Sequence, residues 1–115
     1  MDKVIMMTLL YDFYGPLLTE RQQKFIELYY ENDYSLGEIA ENYGVSRQAV
    51  HDTLKRAENI LANYENKLGL IDKFLMQRNK LAEVARLLED PREPSSQQLA
   101  RARGILQELL EMDRG

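Results

Sequence analysis

The chain has 115 residues, with 15 Lys/Arg against 19 Asp/Glu, one histidine, no cysteine and a net charge of −4. That length suits one domain, or a small domain with an appended helical part, and an apolar fraction of 44% is enough for a core. The missing cysteines exclude a disulfide framework and a thiolate metal site, the lone His51 argues against zinc, and the acidic balance argues against tight non-specific affinity for nucleic acid.

No stretch is long and apolar enough to span a bilayer. Met1–Leu18 is apolar but carries Asp12 and lacks a basic start and a small-residue cleavage site, so it does not read as a signal peptide. A cytoplasmic chain without membrane insertion is expected.

Asp2 to Tyr14 predicts a first helix. Val4, Ile5, Met7, Leu10, Tyr11, Phe13 and Tyr14 leave it little polar surface, so most of it is expected to be buried or covered by a partner subunit. Gly15-Pro16 should stop it. Thr19 then caps a second helix over Glu20–Glu31, with Phe25, Leu28 and Tyr29 at helical spacing and Ile26 and Tyr30 beside them. Glu20 in its first turn complements the helix dipole, and Asn32-Asp33 breaks the pattern.

Ser35 to Arg56 is the most informative stretch. Ser35 and Ser46 are placed as N-caps, and Glu38 completes a capping box with Ser35. Gly44 sits where a left-handed residue ends the first of two short helices. Small Ala40 lets the second helix cross close by, with Ile39, Val45 and Val50 as the apolar wedge. The spacing of Ala40, Gly44, Val45 and Val50 is that of a DNA-reading helix-turn-helix rather than of a general helical hairpin.

The second of these helices continues to Gly69 on the stripe Val50, Leu54, Ala57, Leu61, Tyr64 and Leu68, about 35 Å of helix. Opposite that stripe lie Gln48, Asp52, Lys55 and Asn59, with His51 at the edge. Residues 1–69 hold seven basic and eleven acidic side chains and residues 70–115 eight of each, yet Ser46–Arg56 carries Arg47, Lys55 and Arg56 against Asp52 alone. Gln48 suits pairing with adenine, while Arg47, Lys55 and Arg56 suit phosphates.

Leu70 to Asp90 predicts a further helix. Ile71, Phe74, Leu81, Ala85 and Leu88 fall on heptad positions, and Arg78 stands where a leucine is expected. Pro91–Pro94 forms a turn, and Ser95 with Gln98 opens a last helix whose stripe is Leu99, Ala102, Leu106 and Leu109. The two make a C-terminal hairpin over 70–115, read either as an arm for self-association or as a hairpin folded back on its own domain.

Catalytic chemistry is not expected. The acidic pairs Glu38/Glu41 and Glu89/Asp90 read as solvated helix faces without a histidine or metal ligand beside them. Ser46 and His51 point in different directions on one helix. The glycines form no phosphate cradle, and no cofactor is expected.

The run from Leu18 to Leu61 resembles the promoter-reading fourth region of sigma factors. The motifs LYDFY, LYY, DYSLGEIAE and VSRQAVHD, within Met6–Phe74, resemble more closely still the YlxM family of small bacterial proteins. The resemblance implies an all-α fold: a sigma-like helix-turn-helix bundle, here with a C-terminal helical hairpin. It also implies a gene beside that of a signal recognition particle protein, and a regulatory role in that pathway. It aligns Ser46, Arg47 and Gln48 with the start of the recognition helix and His51 and Asp52 with its groove side. The chain departs from the sigma pattern at Gln48, Ala49 and His51, where arginine is commoner, and at Thr53, where an apolar residue is usual. Asp52 has the wrong charge for phosphates unless it accepts from cytosine.

The candidate nucleic-acid contacts are therefore Ser46, Arg47, Gln48, His51, Lys55 and Arg56. The expected function is a helix-turn-helix regulatory protein that binds DNA as a homodimer, its two recognition helices about 34 Å apart. The alternative is a protein-interaction adaptor that contacts the signal recognition particle protein or its RNA and has lost DNA reading. Modulation of RNA polymerase rests on fold analogy alone.

Overall fold

The structure, a computed structural model, describes residues 2–89 and 92–114, and of residues 113 and 114 the backbone only. The predicted helix end at Asp90, the turn residue Pro91 and the acidic pair's Asp90 lie outside the described residues. Six α-helices and no strand are present among the described residues, so the fold is all-α. Two compact units divide the chain, residues 1–71 and 72–115.

In the first unit, α1 (Lys3–Tyr14) is opened by the Asp2 carboxylate, which accepts the Val4 N–H at 2.7 Å. Its buried side chains are Met7, Leu10 and Tyr14, spaced by three and four. Within the chain the helix packs on one face only, and Val4 and Ile5 are 51% and 55% exposed, which leaves the other expected cover, a partner subunit, for the rest of it. Gly15-Pro16 does not simply stop the chain but turns it into a short 3-10 segment, Gly15–Leu17.

Helix α2 (Glu20–Ile26) begins with a capping box between Thr19 and Gln22. The predicted helix to Glu31 changes character after Ile26: Glu27–Glu31 is a π turn in which the Asn32 N–H reaches the Glu27 carbonyl at 3.0 Å. Asp33 follows in the left-handed region at φ 61°. The wider turn re-aims its tyrosines, and Tyr29 and Tyr30 meet edge to face at 5.0 Å.

Helices α3 (Leu36–Tyr43) and α4 (Arg47–Leu68) follow. On α4 the stripe Val50, Leu54, Ala57 and Leu61 is buried, as its spacing requires, against α1, α2 and α3. Tyr64 stacks on Tyr14 with ring centroids 5.9 Å apart. The last predicted member of the stripe, Leu68, is 56% exposed, because it stands at the helix end beside the left-handed Gly69. Ile71, in the first turn of α5 (Leu70–Glu89), is buried within this unit.

The second unit contains the rest of α5 and α6 (Ser96–Arg114), which the predicted Ser95–Gln98 capping box opens. Its core is Val84, Ala102 and Ile105, with Leu87 and Leu109 partly buried against them. The predicted α6 stripe divides, with Ala102 and Leu109 in this core and Leu99 and Leu106 outside it. Leu81, Ala85 and Leu88 on α5 face outward, as do Leu99 and Leu106 on α6, while Val84 and Ile105 lie inside. Each helix carries two adjacent apolar stripes, and periodicity alone does not choose which one the neighbouring helix covers.

Candidate nucleic-acid interface

The turn between α3 and α4 is built by short-range chemistry. The Ser35 hydroxyl accepts the Glu38 N–H, and the Glu38 carboxylate accepts the Ser35 N–H, both at 3.0 Å. Gly44 ends α3 at φ 64°, where its N–H still reaches the Ala40 carbonyl. The Ser46 hydroxyl accepts the Ala49 N–H at 3.0 Å and starts α4. Ile39, Ala40, Val50, Leu54 and Ala57 are buried where the two helices cross, and Val45 is half-buried at the turn. The anchoring of α4 leaves its other face outward.

Outside the buried stripe Ser46, Arg47, Gln48, His51, Asp52, Lys55, Arg56 and Asn59 are all exposed. All six predicted contact residues are therefore accessible over the first half of α4, with Gln48, His51 and Lys55 on the outward side and Arg47 and Arg56 on opposite flanks, about 180° apart around the helix. The structure also shows how they are arranged. The Gln48 amide donates to Asp52 Oδ1 at 2.8 Å, and His51 Nδ1 lies 3.5 Å from the same oxygen. Gln48, His51 and Asp52 thus form one cluster in which the carboxylate holds the amide that would otherwise be offered to a base edge.

Arg47 does not simply project into solvent. Its guanidinium lies over Gly37 of α3, so that a Cβ at Gly37 would sit 3.0 Å from the Arg47 Nε. A residue ten positions earlier thereby makes room for the side chain, which no local pattern around Arg47 signals.

Lys55 and His51 border a small cleft of about 150 Å³ shared with Lys3, Tyr29, Tyr30 and Glu58. Inside it the Tyr30 hydroxyl donates to Glu58 at 2.7 Å, and Lys3 Nζ stands 3.7 Å from the same carboxylate. Burial, and then the bond to Glu58, push the Tyr30 phenol well above its ordinary range, so it stays a proton donor. The Tyr11 phenol is raised in the same way, by burial first and then by its hydrogen bond to Glu27. Sequence reasoning missed Lys3, Tyr30 and Glu58, which meet only through the packing of α1 and the π turn against α4.

The face offers cations for phosphates and amide and imidazole groups for base edges, and its own aspartate opposes both. Among the described residues no group of three His, Cys, Asp or Glu side chains could hold a metal ion, and no helix is long and apolar enough to cross a membrane.

Comparison with known proteins adds a family. The family model described as "Putative helix-turn-helix protein, YlxM / p13 like" matches residues 1–103. The UPF0122 protein of Desulforamulus reducens is 59% identical over 104 residues, covering 90% of this chain and 89% of its own. That of Thermoanaerobacter sp. is 53% identical over 92 residues, covering 80% and 79%. That of Streptococcus gordonii is 50% identical over 84 residues, covering 73% and 76%.

Proposed function

Because the chain belongs to the YlxM / p13-like helix-turn-helix family, we propose that it is a regulatory protein that lays the first half of α4 in a DNA major groove and acts as a homodimer. The observation that carries this is the division of α4. Val50, Leu54 and Ala57 are buried on one side, and Arg47, Gln48, His51, Lys55 and Arg56 are exposed around the rest of its circumference. In this reading Arg47, Lys55 and Arg56 hold phosphates, Gln48 reads a base edge after leaving Asp52, and Ser46 fixes the helix start. With seven basic against eleven acidic residues over 1–71, binding is salt-sensitive and depends on the local cations. The part of the proposal that places this activity in the signal recognition particle pathway rests on the gene neighbourhood that the family resemblance implies.

The test is fluorescence anisotropy with duplex DNA from around the protein's own gene at low salt. Sequence-selective binding weakened by Arg47→Ala supports the reading. Absence of any selective binding, or indifference to Arg47→Ala, overturns it.

The Gln48–Asp52–His51 cluster favours a second reading, an adaptor for the targeting machinery that has kept the fold and no longer reads DNA. An acid 2.8 Å from the amide on the α4 face competes with base edges for that amide. This adaptor would capture the signal recognition particle GTPase subunit or its RNA. Capture unchanged after Arg47, Lys55 and Arg56 are all made alanine would place that contact off the α4 face.

A further inference from the structure

Residues 72–115 pair two helices whose core, among the described residues, is Val84, Ala102 and Ile105, with Leu87 and Leu109 at its margin. A two-helix hairpin with so small a core is far below the size at which burial alone offsets chain entropy. Yet Leu81, Leu88, Leu99, Leu106 and Leu110 stay between 44% and 66% exposed.

These leucines are not scattered. At about 100° per residue, Leu81 and Leu88 fall on one flank of the Val84 line of α5 and Lys80 and Glu83 on the other. On α6, Leu99, Leu106 and Leu110 fall on one flank of Ala102, and Arg101 and Glu108 on the other. The polar flanks meet: Arg101 donates to Glu83 at 2.9 Å, and Lys80 pairs with Glu108, whose carboxyl that lysine holds below its usual range. The leucine flanks also meet, since Leu81, Leu106 and Leu110 line one apolar groove. One side of the hairpin is closed by ion pairs, and the other is an open leucine surface.

We propose that this leucine side, centred on Leu81 and Leu106, is covered by the same side of a second copy, giving a four-helix bundle. The assignment rests on the homodimer reading above and names its interface. Three features select a second copy. Leu81 and Leu88, like Leu99 and Leu106, recur at seven residues, the repeat by which helices pack on helices. Residues 72–115 carry eight basic and eight acidic side chains, so two such units do not repel although the whole chain is at −4. That neutrality gives no long-range attraction for nucleic acid or an anionic surface. Five leucines each 44% to 66% exposed, three of them in one groove, supply the apolar centre that a stable interface of ~800 Å² per partner requires.

The experiment measures the mass of the full chain by analytical ultracentrifugation over a range of concentrations. Wild type is expected at twice 13.5 kDa, and Leu81→Lys/Leu106→Glu at the monomer mass with unchanged helical circular dichroism, since both positions are exposed. The chain has no cysteine, so Leu106→Cys or Lys80→Cys gives a single thiol for a short bis-maleimide. Cross-linking through Leu106→Cys, and little through Lys80→Cys on the ion-paired flank, is expected. A wild type that is monomeric at every concentration overturns the proposal. So does a dimer untouched by the double substitution, or one cross-linked equally from both flanks. Arg47→Ala leaves the mass unchanged in this scheme, so failure of the interface reads in the mass and failure of DNA reading in the anisotropy.

Discussion

The Tyr14 hydroxyl donates a 2.6 Å hydrogen bond to Oε1 of Glu65, 51 residues later in the chain. The same carboxylate oxygen accepts the Ile71 N–H at 2.9 Å, and the tyrosine oxygen accepts the Leu70 N–H at 3.2 Å. One buried tyrosine and one glutamate thus join α1, the far half of α4 and the first turn of α5. Tyr14→Phe should lower unfolding free energy by about 1–3 kcal/mol, because a part-buried carboxylate and an N–H lose a partner while the ring packing remains. Glu65→Ala should cost more than Glu65→Gln, which keeps an acceptor. Denaturant titration checks the order, and equal losses for the two Glu65 variants would show that the carboxylate is not the joint.

Gly37→Ala should separate stability from binding. Alanine inside α3 is favoured over glycine by up to ~1 kcal/mol, and the atoms its Cβ meets belong to the movable end of Arg47. Unfolding free energy should therefore rise while affinity for duplex DNA falls as the guanidinium is displaced. Loss of both together would mean that Arg47 cannot yield.

Gly44→Ala should do the opposite, costing about 1–2 kcal/mol, since φ is 64° and nothing lies within 4 Å of the added methyl. The penalty is backbone conformation alone. Gly44→Asn should recover part of it, and a thermal melt of the three proteins checks the ranking.

The phosphate roles of Arg47, Lys55 and Arg56 predict a salt signature. The slope of log K against log salt should shrink by about 1 for each of the three replaced by alanine, and Asp52→Ala should raise affinity by freeing Gln48 and removing a charge. A slope that stays constant through all three substitutions would take the contact away from α4.

Alkaline titration reads the two part-buried phenols of Tyr11 and Tyr30. The folded values for Tyr11 and Tyr30 are raised above the unfolded 10.0, so their stabilising contribution is complete below pH 10 and is lost as pH climbs from there through the folded values. Stability should fall above pH 10, and more gently in Tyr30→Phe than in wild type. An identical decline in both proteins would mean that Tyr30 is not held by Glu58.

The sequence by itself determined what local chemistry decides. Ser35 with Glu38, left-handed Gly44, Ser46, and the stripe Val50–Leu54–Ala57–Leu61 place the helix-turn-helix, because caps and a 3.6-residue period act within a few residues. The exposed setting of Gln48, His51, Lys55 and Arg56 follows from the same wheel, as the side away from a buried stripe has nowhere else to point. Tertiary structure alone decided the rest. It turned Glu27–Glu31 into a π segment, set Arg47 over Gly37, tied Gln48 to Asp52, and brought Lys3, Tyr30 and Glu58 to one cleft. It also chose Val84 and Ile105 over Leu81 and Leu106 as the inner face of the hairpin. Each of these depends on which of several chemically equivalent surfaces a distant helix covers, and that choice is made by packing between segments far apart in the chain.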